Sequence, residues 1–559
     1  MGPELNRAAP TLAAAAASIA VLTVVARVTG FGRWVVQSAT LGRGCVAQVY
    51  AAANQLPNVV YEVAVGGALV AAVVPAIAPM VGSSGGSTAG QPRGQVRDTV
   101  GALLTWVLLL TVPAAGLLWA SAPRLAGPLT PDQCPGADPL AEFFIAVFAV
   151  QIVLYGLGVV AIGVVQAHHR FVLAALAPSL SSVVVILTYL LTGRLAGGMI
   201  DDPARFPAPA RWWLAWGTTA GVAALSLPVL VLMIRGVGVR PRLTLRFPAG
   251  IGARIRAQAL GGLAALLAQQ LSVVTILVLS GLPSAPVGAL ALWQYTQAVF
   301  LLPVAVLAQP IVTAAFPRLA AATSDFAAQC ARTQRSVLAA GLLGGSVLVA
   351  VALPAQSFFA DLDASGRGAG GMAAALVALA GAVPATAGLT HATRALQAAD
   401  RPRAAAYCAA TGWGLVSLVA VLLAGVFGSS RILLWAGLGT TAGMAAGWVL
   451  AVMMLRRHTG VDGTRGVVRV LGAGGAGAVT AAVAGAVAGI LVMGQPVPVP
   501  AAGTAVAAPG VGWLRAAGAA ACAAVIAGGV TAAVLARVEP ALWATVRRIV
   551  RRTGVPGVR

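Results

Sequence analysis

Apolar segments of 20 or more residues recur from one end of this 559-residue chain to the other and leave no stretch for a water-soluble domain. A helix of that length crosses the ~30 Å hydrocarbon layer of a bilayer while satisfying its own backbone hydrogen bonds, which an irregular segment in lipid cannot do. The chain is therefore expected to be an all-α polytopic membrane protein. About fourteen spans can be placed, beginning near 11–40 and 45–79 and ending near 467–493 and 513–536. Only 9% of the residues are charged and the mean hydropathy is +0.91, where soluble domains carry roughly 25% charge.

The formal charge of +22 comes from arginine alone, since all 36 basic residues are arginine and none is lysine. The arginines lie in short patches between spans, which fits membrane orientation and not a nucleic-acid surface. No P-loop lysine and no Schiff-base lysine exist, so the Walker route of ATP hydrolysis is closed and no enzymatic role is expected. Transport would need no cofactor and would draw on a coupling cation or the membrane potential. The five cysteines, Cys45, Cys134, Cys330, Cys408 and Cys522, show no C-x-x-C spacing, so neither a disulfide framework nor a metal site is expected. The stretch from Arg7 through Ala13–Ala17 has the look of a signal peptide but reads better as an uncleaved first span.

With an even number of spans and the N-terminus inside, the cytoplasmic segments collect Arg97, Arg170, Arg235, Arg240, Arg242, Arg246, Arg318, Arg332, Arg401 and Arg456. The outer loops hold fewer arginines and most of the acids, among them Asp132, Asp138, Asp201, Asp202, Asp361 and Asp363. A multi-pass protein with both termini cytoplasmic is thus expected. Two internal echoes suggest duplication. Tyr50 to Pro57, followed by Val74-Pro75, is echoed by Tyr295 to Pro303, followed by Phe316-Pro317; Gln166 to Arg170 is echoed by Gln397 to Arg401. The offsets, 295 − 50 = 245 and 397 − 166 = 231, place six spans between partners and hence parallel repeats. The expected organisation is a six-helix lobe over 1–240, a second over 241–458, two added helices over 459–537 and a basic cytoplasmic tail over 538–559.

Two arginines, Arg27 and Arg33, stand inside the first span, where each would cost roughly 2.5–3.5 kcal/mol at mid-bilayer unless it meets a partner or a watery cavity. The run Arg27-Val-Thr-Gly30-Phe31-Gly-Arg33, then Leu56-Pro57-Asn58, Gly67-Ala68 and Val74-Pro75, resembles the start of the MurJ/MviN family of lipid II flippases, within the multidrug/oligosaccharidyl-lipid/polysaccharide exporter superfamily. Gln166 to Phe171, Tyr295, Pro303 and Pro317 are similar to the corresponding later helices. The resemblance implies a bacterial cytoplasmic-membrane flippase for the undecaprenyl-linked peptidoglycan precursor, working in cell-wall synthesis and cell shape by alternating access. Its partners would be a lipid-linked anionic substrate, membrane lipids and cell-wall assembly proteins. Relatives often carry basic residues directly after Leu-Pro-Asn, where this chain has Val59-Val60-Tyr61-Glu62, and an Asp-Arg pair after the tyrosine of helix eight, where it has Gln297-Ala298. These departures keep an exporter of another lipid-linked saccharide or drug, and a non-transporting scaffold, as alternatives.

On this basis the residues expected to meet substrate are Arg27, Arg33, Asn58, Tyr61, Glu62, Tyr295 and Gln297, with Gly30, Phe31, Leu56, Pro57, Pro75, Pro303 and Pro317 shaping the helices. The arginines offer rigid, permanently charged forks for pyrophosphate oxygens. Their alternative is an ion pair with Glu62 or snorkelling to an interface. Polar residues of helices seven and eight, Gln269, Gln270, Gln294 and Gln297, would hydrogen-bond the head group or one another. His391, Arg394 and Gln397, three apart, would share one face of helix ten.

Overall fold

Proline and glycine set where the helices begin, bend and stop. In the computed structural model, which describes residues 12–63, 73, 77, 78, 80, 81, 91–168, 170–322, 325–461, 466–493 and 512–538, no strand forms among the described residues. The first half comprises α1 (Leu12–Leu41), α2 (Cys45–Tyr61), α3 (Gln91–Leu129), α4 (Ala137–Ala167), α5 (Phe171–Ala196) and α6 (Ala208–Val231). The second comprises α7 (Ile251–Gly281), α8 (Ala289–Pro303), α9 (Gln309–Ala321), α10 (Phe326–Ala350), α11 (Ala352–Leu362), α12 (Met372–Ala380), α13 (Ala382–Ala398), α14 (Pro402–Phe427) and α15 (Ile432–Thr459). Two further helices follow, α16 (Gly475–Met493) and α17 (Trp513–Val538).

The fold is all-α, as expected. Eleven helical segments among the described residues are long and apolar enough to span a membrane, or twelve if the pair α12 and α13, bent by 43°, is one span. Neither α1 nor α2 is among these segments, and the expected count of about fourteen is consistent with them. Several of the expected runs are interrupted, among them those near 336–359, at Val351, and near 467–493, at a π-helical turn over Val470–Gly474. The expected span near 371–397 breaks at Gly381, between α12 and α13, where a Cβ would strike Thr441. Helix eight is interrupted by a π-helical turn, Val304–Ala308, directly after Pro303, whose missing N–H removes one rung of the ladder. The second half of the 45–79 run, with Gly67, Ala68 and Pro75, and the basic tail lie outside the described residues.

The same packing pairs occur in both halves. Helix α1 lies on α5, α3 on α4, α5 on α6 and α4 on α6; correspondingly α7 lies on α14, α10 on α13, α14 on α15 and α13 on α15. Small residues permit the closest of these contacts, since lipid supplies no hydrophobic drive between helices and association rests on packing. On α15, a Cβ at Gly443 would overlap the Gly412 carbonyl of α14, so the backbones touch there. Helices α16 and α17 pack on each other and on α10 and α11, outside the second half's own repeat.

Candidate functional site

Helix α1 presents two faces of opposite character. Residues two apart on a helix point about 200° apart, and Phe31 and Arg33 do so here. Phe31 lines an apolar cavity of about 340 Å³ together with Val299 and Pro303 of α8, Val347 of α10, Phe358 and Phe359 of α11, and Ala517, Ala520 and Ala524 along one face of α17. Arg33 is half-buried on the other side. Its Cζ lies 4.7 Å from the Trp34 ring centroid, and it stands within electrostatic reach of the hydroxyls of Tyr50, Tyr155 and Tyr189. Its Nε is enclosed with no hydrogen-bond partner among the described residues. A guanidinium kept in this setting without a carboxylate retains its donors for an incoming acceptor. Arg27, about 120° round the helix from Arg33, is exposed.

The face of α2 opposite the second half carries Gln48, Gln55 and Glu62, seven apart and so one above another. Gln48 is clamped: its Nε2 donates to the Ser280 carbonyl at 3.3 Å and its Oε1 accepts from the Leu290 N–H at 3.0 Å. About 10 Å further along, Gln55 accepts from Gln294 Nε2 at 3.4 Å. Another two turns on, Glu62 has no ion pair among the described residues. The two halves therefore meet at one end and diverge toward the other. Asn58 sits where they part, its Nδ2 donating to the Asn54 carbonyl at 2.8 Å, and Gln297 is exposed. A Cβ at either motif glycine, Gly30 or Gly32, would meet nothing within 4 Å, so this stretch of α1 borders open space.

The closed end is built from residues between the helices, Arg43, Asp201, Asp363 and Arg367. The Arg43 N–H donates to Asp363 Oδ1 at 2.9 Å, and the Arg43 guanidinium reaches the carbonyls of Arg367 at 2.9 Å and Val287 at 3.4 Å. Arg367 in turn grips Asp201, with Nε at 3.0 Å and Nη2 at 2.6 Å from Oδ2. Burial pushes the Arg43 guanidinium below its usual pKa, and the charge of Asp363 opposes that shift. Beneath this layer, Trp34 meets Tyr295 edge-on, and Tyr295 stacks on Phe359 at 5.5 Å.

Several expectations are corrected. Tyr295 does not line the open cavity: only 1% of it is exposed, and its hydroxyl donates to the Gly42 carbonyl at 2.7 Å. Tyr61 is likewise buried, against Tyr155 at 5.2 Å. Glu62 is not the counter-ion of Arg27 or Arg33. His391 turns away from Arg394 into the helix pair α10 and α13, where it meets Thr333 and Gln334, while Arg394 and Gln397 are exposed. A disulfide does form, Cys45 to Cys134, because both residues sit at the same end of the bundle; a separation of 89 residues leaves no local spacing signal. Pro57 is buried within α2, Leu56 packs against the core, and Pro317 is exposed on α9. Also missed was a buried chain in the first half, in which Tyr189 donates to Gln37 Oε1 at 3.1 Å and Tyr50 bridges Tyr189 and Thr218 at 2.9 and 3.0 Å.

The family model of lipid II flippase MurJ matches residues 37–499. A protein of Rhizobium meliloti (strain 1021) described as probable lipid II flippase MurJ is 25% identical over 317 residues, covering 55% of this chain and 54% of its own. One of Rhizobium tropici with the same description is 25% identical over 304 residues, covering 53% of each. The chain thus aligns with about half the length of these curated relatives. Among solved structures, lipid II flippase MurJ in an inward-closed conformation superposes with a TM-score of 0.66 at 14% identity, over 94% of this chain and 99% of that one. An inward-facing multidrug resistance MATE family transporter gives 0.61 at 14% identity, over 79% and 96%. At these identities the structural likeness speaks to the fold.

Proposed function

The chain belongs to the lipid II flippase MurJ family, and from that membership together with the two faces of α1 we propose that it flips the undecaprenyl-linked peptidoglycan precursor across the bacterial cytoplasmic membrane by alternating access. The observation that carries this reading is the opposition of Phe31 and Arg33: an apolar cavity on one side of a single helix and an unneutralised guanidinium on the other. A lipid-linked pyrophosphate has the same two parts. Its phosphate oxygens would take the forked donors of Arg33 and Arg27, with Gln55, Asn58, Gln294 and Gln297 offering hydrogen bonds to sugar or peptide. Its hydrocarbon chain would lie against Phe31 and the alanine face of α17.

The end of the bundle carrying the disulfide is the outer one in this reading. A stable disulfide belongs on the oxidising side, and Asp132, Asp201 and Asp363 lie at that end. The arginine-rich segments, 235–246 foremost, lie at the other and take the cytoplasmic side. The conformation then has its outer end shut and its cationic groups facing the cytoplasmic half, ready to receive a precursor made inside. Membrane potential or a coupling cation would drive the return.

Rescue of bacterial cells depleted of their own lipid II flippase tests the reading, scored by growth and by exposure of the precursor on the outer surface. Rescue is expected. Correct insertion without rescue would move the chain to another lipid-linked substrate or to a scaffold role.

A further inference from the structure

The closed end is more than a seam. Each half contributes one arginine and one aspartate to it: Arg43 and Asp201 from the first, Arg367 and Asp363 from the second. The set is electroneutral and reciprocal, with Arg43 reaching across to Asp363 and the Arg367 carbonyl, and Arg367 reaching back to Asp201. Ala364 N–H adds a bond to the Ser38 carbonyl at 3.1 Å. All hydrogen bonds between the two halves, among the described residues and apart from those of the connecting 237–250 segment, lie at or above the level of Gln55 and Gln294 in this end of the bundle.

Asp201 is the shared member. Its Oδ1 accepts the Cys45 backbone N–H at 2.9 Å and its two oxygens together accept the Arg367 fork. Cys45 is itself fixed, because its side chain is bonded to Cys134 in the 130–136 loop, and that loop touches the second half where Gln133 donates to the Pro283 carbonyl. The disulfide, the Cys45 amide, the Asp201 carboxylate and the Arg367 fork therefore form one continuous line from a covalent cross-link to the other half of the molecule. Packing leaves this line little slack: a Cβ at Gly44 would overlap Asp201, and one at Gly288, where φ is +75°, would overlap the Arg43 carbonyl.

We propose that Arg43, Asp201, Asp363 and Arg367 are the latch that holds the outer end shut, and that the Cys45–Cys134 disulfide sets its strength by fixing the amide that orients Asp201. Two-electron, two-proton reduction of the disulfide by a dithiol of the outer compartment, which itself becomes a disulfide, gives two thiols and frees the 42–45 turn. The latch then opens more readily, and outer-compartment thiol status regulates how often the transporter faces out. The assignment of this end to the outside rests on the function proposed above; the latch itself does not depend on the substrate.

The test reads opening without substrate. Gln55→Cys, placed just below the latch with Cys330, Cys408 and Cys522 replaced by alanine, reports opening through its reaction with a membrane-impermeant maleimide added outside right-side-out vesicles. Four proteins are compared: the disulfide intact or replaced by Cys45→Ser/Cys134→Ser, each with Asp201 or with Asp201→Asn. With Asp201 present, loss of the disulfide is expected to speed labelling roughly three- to tenfold, and Asp201→Asn alone by a similar factor, with no further gain when the two are combined, as for groups acting in one line. The swap Asp201→Arg/Arg367→Asp should slow labelling again relative to either single change. Equal labelling in all four proteins overturns the latch. Multiplying effects of the disulfide and Asp201 overturn the link between them. If Asp201→Asn fails to reach the membrane, Arg367→Gln takes its place in the same cycle.

Discussion

The two ends of the seam between the halves differ as sharply as two regions of one protein can. At the disulfide end the terminal nitrogens of Arg43 and the fork of Arg367 have acceptors, although the Arg43 Nε, like that of Arg33, is enclosed without one; Tyr295 is bonded and stacked, and hydrogen bonds join the two halves. Toward the other end Arg33 has an enclosed Nε without a partner, Arg27 and Gln297 are exposed, and Glu62 has no ion pair among the described residues. The Arg43 and Arg367 guanidiniums bond across the seam, whereas Arg33 bonds no acceptor among the described residues and is proposed to take an anionic one from the ligand; burying an unpaired cation costs several kcal/mol, on the order of what an anionic ligand would recover.

The largest effect should come from removing the unsatisfied group. Arg33→Ala is expected to lower transport by about ten- to a hundredfold, since one charge-assisted pair contributes roughly 1.5–3 kcal/mol, while membrane levels stay near normal because an apolar helix inserts more easily. Immunoblotting of membranes beside the depletion-rescue assay checks both halves of that statement. A drop in protein level would make Arg33 structural and erase the distinction between the two ends.

Filling the apolar compartment should come next. Ala520→Phe projects a ring into the cavity that Phe31 lines; excluding two methylenes of a lipid chain forfeits about 1.6 kcal/mol, roughly a tenfold loss of affinity for a long-chain substrate. Binding of a soluble pyrophosphate sugar without the lipid should be unchanged. Equal loss for both ligands would show that the two compartments are not separate.

Gly288→Ala sharpens the comparison from the gate side. At φ +75° an alanine costs about 1–2 kcal/mol, and its Cβ would press on the Arg43 carbonyl. Thermal unfolding in detergent should fall by a few degrees, whereas Gly30→Ala, which meets open space, should not shift it through contacts. The smallest effect is expected for Glu62→Gln. With no partner to release, transport should stay within about threefold of the parent, and a large loss would reassign Glu62 to the machinery.

Much of this was legible in the sequence because lipid leaves the backbone only one solution. The apolar runs are helical wherever they lie in the described residues, and Arg27, Gly30, Phe31 and Arg33 marked the helix with the two contrasting faces. The rest was hidden for physical reasons. Arg43 meets Asp363 across 320 residues and Asp201 meets Arg367 across 166, and no periodicity encodes such contacts. The partner of Cys45 lay 89 residues away in another loop. Tyr61 and Tyr295 looked like head-group contacts because hydroxyls suit sugars, but aromatic rings with one polar atom serve equally well as interior plugs with a single hydrogen bond. Breaks at Gly381 and after Pro303 were signalled by residue type, although such residues are common in spans that stay straight.

The most direct measurement reconstitutes the protein in vesicles that carry a fluorescent undecaprenyl pyrophosphate-linked disaccharide peptide in the inner leaflet and follows its arrival outside, for the parent, Arg33→Ala and Ala520→Phe. The account predicts rapid transfer by the parent, near-complete loss in Arg33→Ala and a several-fold slowing in Ala520→Phe that disappears when the lipid chain is short. Transfer by Arg33→Ala at the parental rate, in vesicles containing equal amounts of folded protein, would contradict it.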